Sequence, residues 1–454
     1  MSAKKQLVLD ALEYKQPTRT PFVVYTGVHA AALIGAPADE YLKSADLVVK
    51  GLEKAHELYN ADGYCVMFDL QIEAEALGCK LGWAKDNPPH VTSHILSTAS
   101  VSELKVPGPD EARIPVGLEA TRRLAATLGE EVALFALVTG PFTLGLHLAG
   151  TDILTDMVLE PERAKAILEF TSRVAAAMCQ YYVDAGADVI SLVDPMTSQI
   201  SPAMFEEFVT PALQASWDVA RVAGKKSMLF TCGDATRNLE LMAKSGADGF
   251  AFDENVDITK AKALGEQYHV SYGGNLALTT VMLFGAPEDN IAHASEVLGK
   301  AAGPGYILAP GCDIPYDVPP ANIKAISDLV QGSVSSEQLA AALEQAGGKT
   351  FTAEELAAVS FDPGDAKARL DALTLDAAAC PPCQYVMEII EKVAAEYPGQ
   401  IAYYEHMIKE REGLRWVYAS GAKAIPTILI NGEVVFSSIV PTAAELKEAV
   451  EKYL

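Results

Sequence analysis

The sequence of 454 residues is too long for one average domain and indicates two or three. Half of its residues are apolar, so a large core can be buried and disorder is not expected. Thirty-five lysines and arginines stand against sixty aspartates and glutamates, and the formal net charge of −25 repels nucleic-acid phosphates and anionic lipid headgroups. We therefore expect neither a nucleic-acid partner nor a membrane partner.

Targeting signals and cysteine usage both favour a cytoplasmic protein. The N-terminus carries two lysines but no apolar signal-peptide segment, and no apolar run approaches the roughly 20 residues that span a bilayer. The seven cysteines are odd in number and scattered. In a reducing compartment such cysteines are core, metal-binding or redox thiols more often than a disulfide framework.

Eight short apolar runs that end in turn residues alternate with helical patterns along the first two thirds of the chain. The runs begin at Phe22, Tyr64, Val132, Asp188, Lys226, Gly249, His269 and Gly305. Strand–helix alternation implies parallel strands joined by right-handed crossovers. Eight such units predict a (β/α)8 TIM barrel over residues 1–331.

In a barrel of this kind the chemistry lies at the C-terminal ends of the strands. Here those ends carry Asp69, Thr139, Gly140, Asp194, Cys232, Asp253, Glu254, Gly274, Asn275 and Cys312. We therefore expect two cysteines and several acids to converge on one mouth.

After the eighth unit the sequence changes character. Residues 332–365 hold short helical patterns with little core potential and are predicted to be a helical linker. A fresh α/β pattern then fills residues 366–454, which we interpret as a second, smaller domain. The predicted fold is therefore an α/β chain with a TIM barrel followed by a small α/β domain.

The second domain contains the motif Cys380-Pro381-Pro382-Cys383 between a strand-like run and a helix. A thiol at a helix N-terminus meets unpaired N–H groups that stabilise its thiolate. About fifty residues later Pro426 precedes the strand "TILI". Together these features resemble thioredoxin-like proteins of the small redox-active disulfide type. The resemblance implies that Cys380 is the nucleophile, Cys383 the resolving thiol and Pro426 a cis-proline facing them; the alternative is a CxxC that binds metal or is inert.

Cys232 and Cys312 stand 80 positions apart, at the ends of the fifth and eighth predicted strands. At those positions they can face each other across the mouth. Two thiolates and a nearby carboxylate can hold zinc tetrahedrally and leave one position open for a substrate. The alternative is that both cysteines are small buried hydrophobic residues.

Eight stretches of the barrel resemble the uroporphyrinogen decarboxylase superfamily, and within it the methylcobalamin:thiol methyltransferases. They are "FDLQIEAEALGCKLGW", "VTGPFTLGLHLAG", "DAGADVISLVDP", "ISPAMFEEFVTPAL", "TCGDA", "FDENVDI", "GGNL" and "APGCDIPYDVPPANIKAI". The resemblance implies a zinc ion held by a His-x-Cys pair after strand five and a cysteine after strand eight. The zinc would bind a substrate thiol, which takes a methyl group from a methylated corrinoid on a partner protein. An open rim is expected, so that the corrinoid can enter.

This sequence departs from that pattern at Phe230, which stands where the group has its zinc-binding histidine. Phenylalanine cannot bind zinc, so a third donor is needed beside Cys232 and Cys312. We predict Glu254 in that role. Asp253, Asp194, His147 and His29 are weaker alternatives.

Four further polar residues are predicted to line the substrate or corrinoid site, namely Asp69, Glu75, Asp194 and Asn275. For Asp69 and Glu75, capping of the next helix or pairing with other polar groups of the mouth is an equally reasonable role, and Asp194 could bind a substrate amine or orient a ligand. Cys65, Cys79 and Cys179 fall within strand or helix patterns and are predicted to be core residues.

The leading functional hypothesis is a zinc-dependent methyltransferase that moves a methyl group from a corrinoid protein to a small thiol. Its fused dithiol domain would reduce a disulfide, with a dithiol reductant as a further partner. One alternative is a tetrapyrrole decarboxylase-like lyase, although the stretch that supplies substrate-binding arginines in such enzymes here holds only Arg19. The other is a non-catalytic corrinoid- or thiol-binding barrel that carries a thioredoxin-like oxidoreductase.

Overall fold

The computed structural model describes residues 2–346, 351–378 and 380–454. All eight predicted barrel strands are present and parallel. They are β1 (Val23–Val24), β2 (Gly63–Cys65), β3 (Ala133–Thr139), β4 (Val189–Val193), β5 (Lys226–Thr231), β6 (Gly249–Phe252), β7 (Ser271–Leu276) and β8 (Tyr306–Pro310).

The barrel strands follow one another in sequence order around the sheet. Register pairs such as Val193 with Phe230 on β4 and β5 align the C-terminal ends of neighbouring strands. A parallel bridge between Phe22 and Leu308, just before β1 and within β8, brings the two edges together. This closure places the ends of β5 and β8 on opposite parts of one rim, as the sequence predicts.

Helices surround the strands. In the barrel they are Ala3–Leu12, His29–Ala32, Ala38–Tyr41, Ala45–Tyr59, Ile72–Ala76, Ile114–Thr127, Pro141–Ala149, Asp152–Leu159, Pro161–Ala185, Pro202–Met204, Thr210–Val222, Leu239–Ala243, Ile258–Tyr268, Pro287–Ala301 and Pro320–Val330. The longest begins with a proline at its first position and ends at Gly186, whose φ of 102° suits a residue without a Cβ.

The core has an inner and an outer layer. Inside the barrel, alternate strand residues pack with Val8, Ala11 and Leu12 of the first helix, which therefore plugs the N-terminal end of the barrel. The opposite strand faces pack against the surrounding helices and form a larger apolar layer. With one end plugged, the barrel has its polar strand ends only at the other end.

The C-terminal domain is a four-stranded sheet with helices, in agreement with the predicted thioredoxin-like fold. Its strands are β9 (Ala368–Thr374), β10 (Ile401–Met407), β11 (Thr427–Ile430) and β12 (Glu433–Ser437), and its helices are Pro381–Glu396, Arg411–Ser420 and Ala443–Glu451. The sheet order is β10-β9-β11-β12, with β9 and β10 parallel and the other two pairs antiparallel.

The segment predicted as a linker contains two helices, Ser336–Gln345 and Ala353–Ala357. Ser335 and Thr352 cap their N-termini with reciprocal side-chain hydrogen bonds. Residues 347–350, which also belong to the predicted linker, lie outside the described residues. Over the described ranges, no helix has the length and apolar character needed to cross a bilayer.

Candidate active site at the barrel mouth

The C-terminal domain lies over the mouth of the barrel and forms one side of a partly open cavity of about 270 Å³. This arrangement corrects the expectation of an open rim. Barrel residues on the cavity wall include Asp69, Cys232, Asp253, Glu254, Cys312 and Asp313, and residues of the C-terminal domain include Asp376, Cys380, Lys409, Lys423 and Pro426. Both cysteine systems predicted from the sequence therefore face one cavity.

Polar contacts around Asp376 hold the two domains together on one side of the cavity. This buried carboxylate accepts a hydrogen bond of 2.7 Å from the amide of Asn87 in the barrel. It also pairs with Lys409 at 2.5 Å, and Lys409 reaches Asp86 of the barrel at 3.5 Å. The network links a strand-end loop of the C-terminal domain to a barrel loop.

Two side-chain-to-backbone hydrogen bonds hold the domains together elsewhere. The amide of Gln384 donates to the carbonyl of Val91 at 2.6 Å, and the backbone N–H of Val440 donates to Gln199 at 2.8 Å. Because both bonds join uncharged groups, salt screening affects them little, and they help to fix the C-terminal domain over the mouth.

The barrel thiols form a pair. Cys232 directly follows β5 and Cys312 follows β8 by two residues, and both are half-buried free cysteines. Their side chains are close enough to share a hydrogen bond, which together with burial raises the pKa of Cys232 well above its usual value. The sequence prediction that these two residues meet across the mouth matches this placement.

The floor beneath this pair is aromatic. Phe230 is fully buried inside the barrel, with ring-centroid distances of 5.2 Å to Tyr25 and 6.2 Å to Phe68. Cys232 and Cys312 pack against the same interior apolar cluster. Phe230 therefore closes off the interior below the thiols and supplies no metal donor.

Two adjacent acids after β6 stand beside the thiols. Asp253 accepts hydrogen bonds from the backbone N–H groups of Gly233 and Asn255. Glu254 accepts one from Leu278 N at 3.2 Å through Oε1, while its Oε2 is buried without a hydrogen-bond partner. Burial raises the pKa of both carboxyls, and the charge of Glu254 raises that of Asp253 further.

The chemistry of these donors suits zinc, which binds thiolate sulfur and carboxylate oxygen. Two thiols are in contact, and Glu254 Oε2 on the same wall has an unused buried lone pair. Within residues 2–346, 351–378 and 380–454, however, no three such side chains stand in a ready-made metal-binding group. The structure thus brings together two of the three predicted ligands and leaves the third on the neighbouring wall.

The weaker predicted ligands have other partners or positions. His29 uses both ring nitrogens, toward Tyr59 Oη at 2.6 Å and Tyr316 O at 3.3 Å, and burial lowers its pKa to about 4. His147 is buried, and its Nδ1 faces Tyr385 Oη of the C-terminal domain at 3.3 Å. Neither histidine lines the cavity.

Asp194 serves a helix instead of the cavity. Its carboxylate accepts hydrogen bonds from the backbone N–H groups of Phe142 and Thr143, at 3.1 and 2.8 Å, and from the Thr143 hydroxyl at 2.6 Å. It therefore satisfies backbone N–H groups at the N-terminus of the helix Pro141–Ala149, a role that the sequence analysis did not assign to it.

Of the other predicted lining residues, only Asp69 faces the cavity. Its carboxylate pairs with Arg113 at 2.6 Å, and Glu75 pairs with the same guanidinium at 2.6 Å, turned away from the cavity. Asn275 donates to Val256 O at 2.8 Å and lies off the wall. Side-chain hydrogen bonding, which strand-end position does not reveal, decides which of these residues reach the site.

The Cys380–Cys383 motif sits at the start of the helix Pro381–Glu396, with Cys380 at the N-cap position. Cys380 is half-buried and lines the cavity, whereas Cys383 is fully buried and accepts a hydrogen bond from Leu375 N. The hydrogen bond between the two thiols, followed by burial, raises the pKa of Cys380. The backbone N–H of Cys383 lowers it, the helix-terminus effect expected from the sequence, but does not prevail.

Pro426 lies on the same wall as Cys380, and the Ile425–Pro426 peptide bond is cis, as the thioredoxin-like resemblance implies. The two thiol pairs are also close enough to change each other's pKa values. The charge of Cys312 raises the pKa of Cys380, and the charge of Cys380 raises the pKa of Cys232.

Asp313 is a cavity residue that the sequence analysis did not single out. Its Oδ1 is buried without a hydrogen-bond partner, and burial and the charge of Asp69 raise its pKa. The signal was available, since Asp313 directly follows Cys312 at a barrel strand end.

The fold and this mouth define a two-domain α/β protein with a TIM barrel whose strand-end thiols face a thioredoxin-like domain. The model of the uroporphyrinogen decarboxylase family matches residues 3–333, and the model described as a thioredoxin domain matches residues 375–451. The first match covers more than half of the chain. The chain therefore belongs to the uroporphyrinogen decarboxylase family, a family of enzymes.

Among similar proteins is a methylcobamide:CoM methyltransferase of Methanosarcina acetivorans, 28% identical over 334 residues that cover 72% of this chain and 97% of that protein. A uroporphyrinogen decarboxylase of Anaeromyxobacter dehalogenans is 28% identical over 305 residues, covering 64% of this chain and 86% of that protein. A solved methyltransferase structure from Methanosarcina mazei superposes with a TM-score of 0.66 at 26% identity and covers 73% of this chain and 99% of that one.

Proposed function

We propose that this protein transfers a methyl group from a methylated corrinoid, carried by a partner protein, to a small thiol at the barrel mouth. The observation that carries the proposal is the pair of contacting thiols, Cys232 and Cys312, at the strand ends of a barrel of this family. The similarity to methylcobamide:CoM methyltransferase over nearly that protein's whole length supports the same reaction class. We also propose that the protein works in the reducing cytoplasm, as its cysteine usage predicts.

Zinc is the metal we propose, with Cys232, Cys312 and Glu254 as its ligands. When bound, zinc would lower the pKa of an acceptor thiol, so that the nucleophilic thiolate forms at neutral pH. A metal would be needed for this step because thiolates are disfavoured at the mouth. The raised pKa of Cys232, caused by its hydrogen bond with Cys312 and by burial, supports this view. Glu254 Oε2 is the buried, unpartnered donor that a metal would satisfy.

The remaining residues of the mouth exclude water and set the size of the acceptor. Phe230, Tyr25 and Phe68 make a dry floor, which strengthens electrostatic interactions above it. A cavity of about 270 Å³ accommodates a small thiol, whereas a corrin macrocycle is far larger. The C-terminal domain must therefore leave the mouth when the methyl donor arrives.

For the C-terminal domain we propose dithiol–disulfide chemistry. Cys380, the accessible member of the motif, would be the nucleophile, and buried Cys383 would resolve the mixed disulfide. Pro426 would position the substrate disulfide beside Cys380, since it lies on the same cavity wall. A dithiol reductant would return the motif to its reduced state.

A lyase acting on a polycarboxylate tetrapyrrole is disfavoured. No arginine lines the cavity among the described residues, and two lysines, Lys409 and Lys423, stand against five acids. Arg19 is bound to Asp62 at 2.6 Å, outside the wall. A substrate with several carboxylates would meet more acids than cations at the mouth.

The test is anaerobic methyl transfer from methylcobalamin to coenzyme M and other small thiols, with zinc content measured on the same samples. We expect Cys232→Ala and Cys312→Ala to lose zinc and to reduce the rate by about 100-fold or more. Glu254→Gln should weaken zinc binding about tenfold or more. Cys179→Ala, a core cysteine of the helix Pro161–Ala185, is the matched control and should behave as the wild type.

Wild-type protein that neither retains zinc nor consumes methylcobalamin with any thiol would contradict the proposal. If the Cys380–Cys383 motif then still reduced a small disulfide, the barrel would be a non-catalytic partner of an oxidoreductase.

A further inference from the structure

The closeness of two cysteine pairs from separate domains suggests a reaction between them. Cys232 and Cys312 contact each other, as do Cys380 and Cys383, and each pair contains members within electrostatic reach of the other. Three of the four, namely Cys232, Cys312 and Cys380, line one cavity. The fourth, Cys383, is buried directly behind Cys380.

This placement is held by specific contacts between the domains. Asp376, four residues before the motif begins, binds Asn87 of the barrel, and Gln384, which directly follows the motif, binds Val91 O at 2.6 Å. Both anchors therefore flank the thiols in sequence. They present the start of the helix Pro381–Glu396 to the barrel mouth.

We propose that the Cys380–Cys383 dithiol reduces a disulfide between Cys232 and Cys312 within the same chain. This inference rests on the redox role proposed above for the C-terminal domain and names its substrate. The barrel disulfide arises when an organic disulfide or a peroxide removes two electrons from the contacting thiols. In that state the barrel pair cannot bind metal, because both sulfurs are engaged in the disulfide.

The exchange balances as two thiol–disulfide steps. The Cys380 thiolate attacks the sulfur of Cys312, forming a Cys380–Cys312 bond while the Cys232–Cys312 bond breaks, and Cys232 leaves as a thiolate that takes up a proton. Cys383 then loses its proton and attacks Cys380, which releases Cys312 as a thiolate. Two electrons and two protons have moved from the motif to the barrel pair, and an external dithiol restores the motif.

Tethering and docking favour exchange within the chain over reduction from solution. They raise the effective concentration of one pair at the other, whereas a reductant in solution must reach thiols that the C-terminal domain partly covers. The reaction should therefore be first order and independent of protein concentration.

The test follows each cysteine separately in the full-length protein. Metal-free wild type and Cys380→Ser are oxidised with diamide, treated with a limiting amount of dithiothreitol, alkylated over time and digested with trypsin. Residues 227–237, 301–324 and 370–392 then report Cys232, Cys312 and the motif in separate peptides. We expect the barrel thiols to recover in wild type at a concentration-independent rate, and roughly tenfold or more slowly in Cys380→Ser.

A trapping variant gives a second readout. In Cys383→Ser the mixed disulfide cannot be resolved, so peptide 370–392 should be recovered linked to 301–324 or 227–237. Equal recovery rates in wild type and Cys380→Ser, an absence of barrel disulfide after oxidation, or an absence of the linked peptides would overturn the inference. Turnover of an aromatic disulfide by the motif, measured in parallel, tests its redox role alone, and none of these readouts needs zinc or a corrinoid.

Discussion

At the scale of single residues, the identity of Phe230, two positions before Cys232, determines which donor atoms the barrel mouth can offer to a metal. Residues two apart on a strand point to the same face, so both approach the barrel interior. A phenylalanine at this position adds an apolar floor, so the third donor of the proposed zinc site would have to come from another strand end. Glu254, with its unpartnered Oε2, is the donor that we propose.

The contribution of the single residue Asp194 to stability depends on pH. Burial, partly offset by hydrogen bonds from Thr143 and Phe142, raises the pKa of its carboxyl from 3.8 to about 6. The folded chain therefore keeps this proton up to about pH 6, whereas the unfolded chain loses it near pH 4. Its contribution to stability is complete below the unfolded pKa and is lost as the pH rises through 6.

Asp194→Asn removes this titration. As the pH falls from 7 to 4, the free energy of unfolding of wild type should rise relative to that of the variant by about 2 kcal/mol. Urea unfolding of both proteins at the two pH values, followed by near-ultraviolet circular dichroism of the barrel, measures the difference. Parallel pH profiles would refute this explanation of Asp194.

At the scale of elements, the sequence sufficed where periodicity and strand ends carry the information. Eight apolar runs predicted eight strands, and the rule that barrel chemistry lies at their C-terminal ends placed Cys232 and Cys312 at one rim. The motif at Cys380 and the proline at 426 likewise predicted the thioredoxin-like domain, which the family match confirms.

Periodicity and strand ends did not predict the direction in which each polar side chain points. Asp194 and Asn275 end strands as expected, yet local hydrogen bonds to Thr143 and Val256 turn them from the cavity. Strand position determines where a side chain begins, and hydrogen-bond partners 19 and 51 residues away in sequence determine where its polar atoms lie. Glu75 is likewise directed by its ion pair with Arg113.

At the scale of the whole molecule, the covering of the mouth is the feature that no periodic pattern indicates. The polar contacts between the domains include Asp376 with Asn87 and Lys409 with Asp86. Each such contact is modest in energy, which would suit the domain we propose, one that closes for thiol exchange and opens for a corrinoid.

Asp376→Ala should therefore shift the molecule toward the open state. Asp376 pairs with Lys409 inside its own domain, so docking loses only the hydrogen bond to Asn87, about 1 kcal/mol or roughly fivefold in the open population. Alkylation of Cys312, followed in peptide 301–324 under metal-free, reducing conditions, should accelerate by about the same factor. Glu396→Ala, which removes an exposed pair with Lys447 on the same domain, is the control and should leave the rate unchanged. An unchanged alkylation rate in Asp376→Ala would show that these contacts do not hold the C-terminal domain over the barrel mouth.

The central claim is that Cys232 and Cys312 hold a zinc ion to which the acceptor thiol binds. Zinc-edge X-ray absorption of the zinc-loaded protein, before and after addition of coenzyme M, tests it most directly. The expected result is two sulfur ligands before addition and three afterwards, with Zn–S distances of about 2.3 Å. A sulfur count that stays the same when the thiol is added, or a zinc without sulfur ligands, would contradict the account.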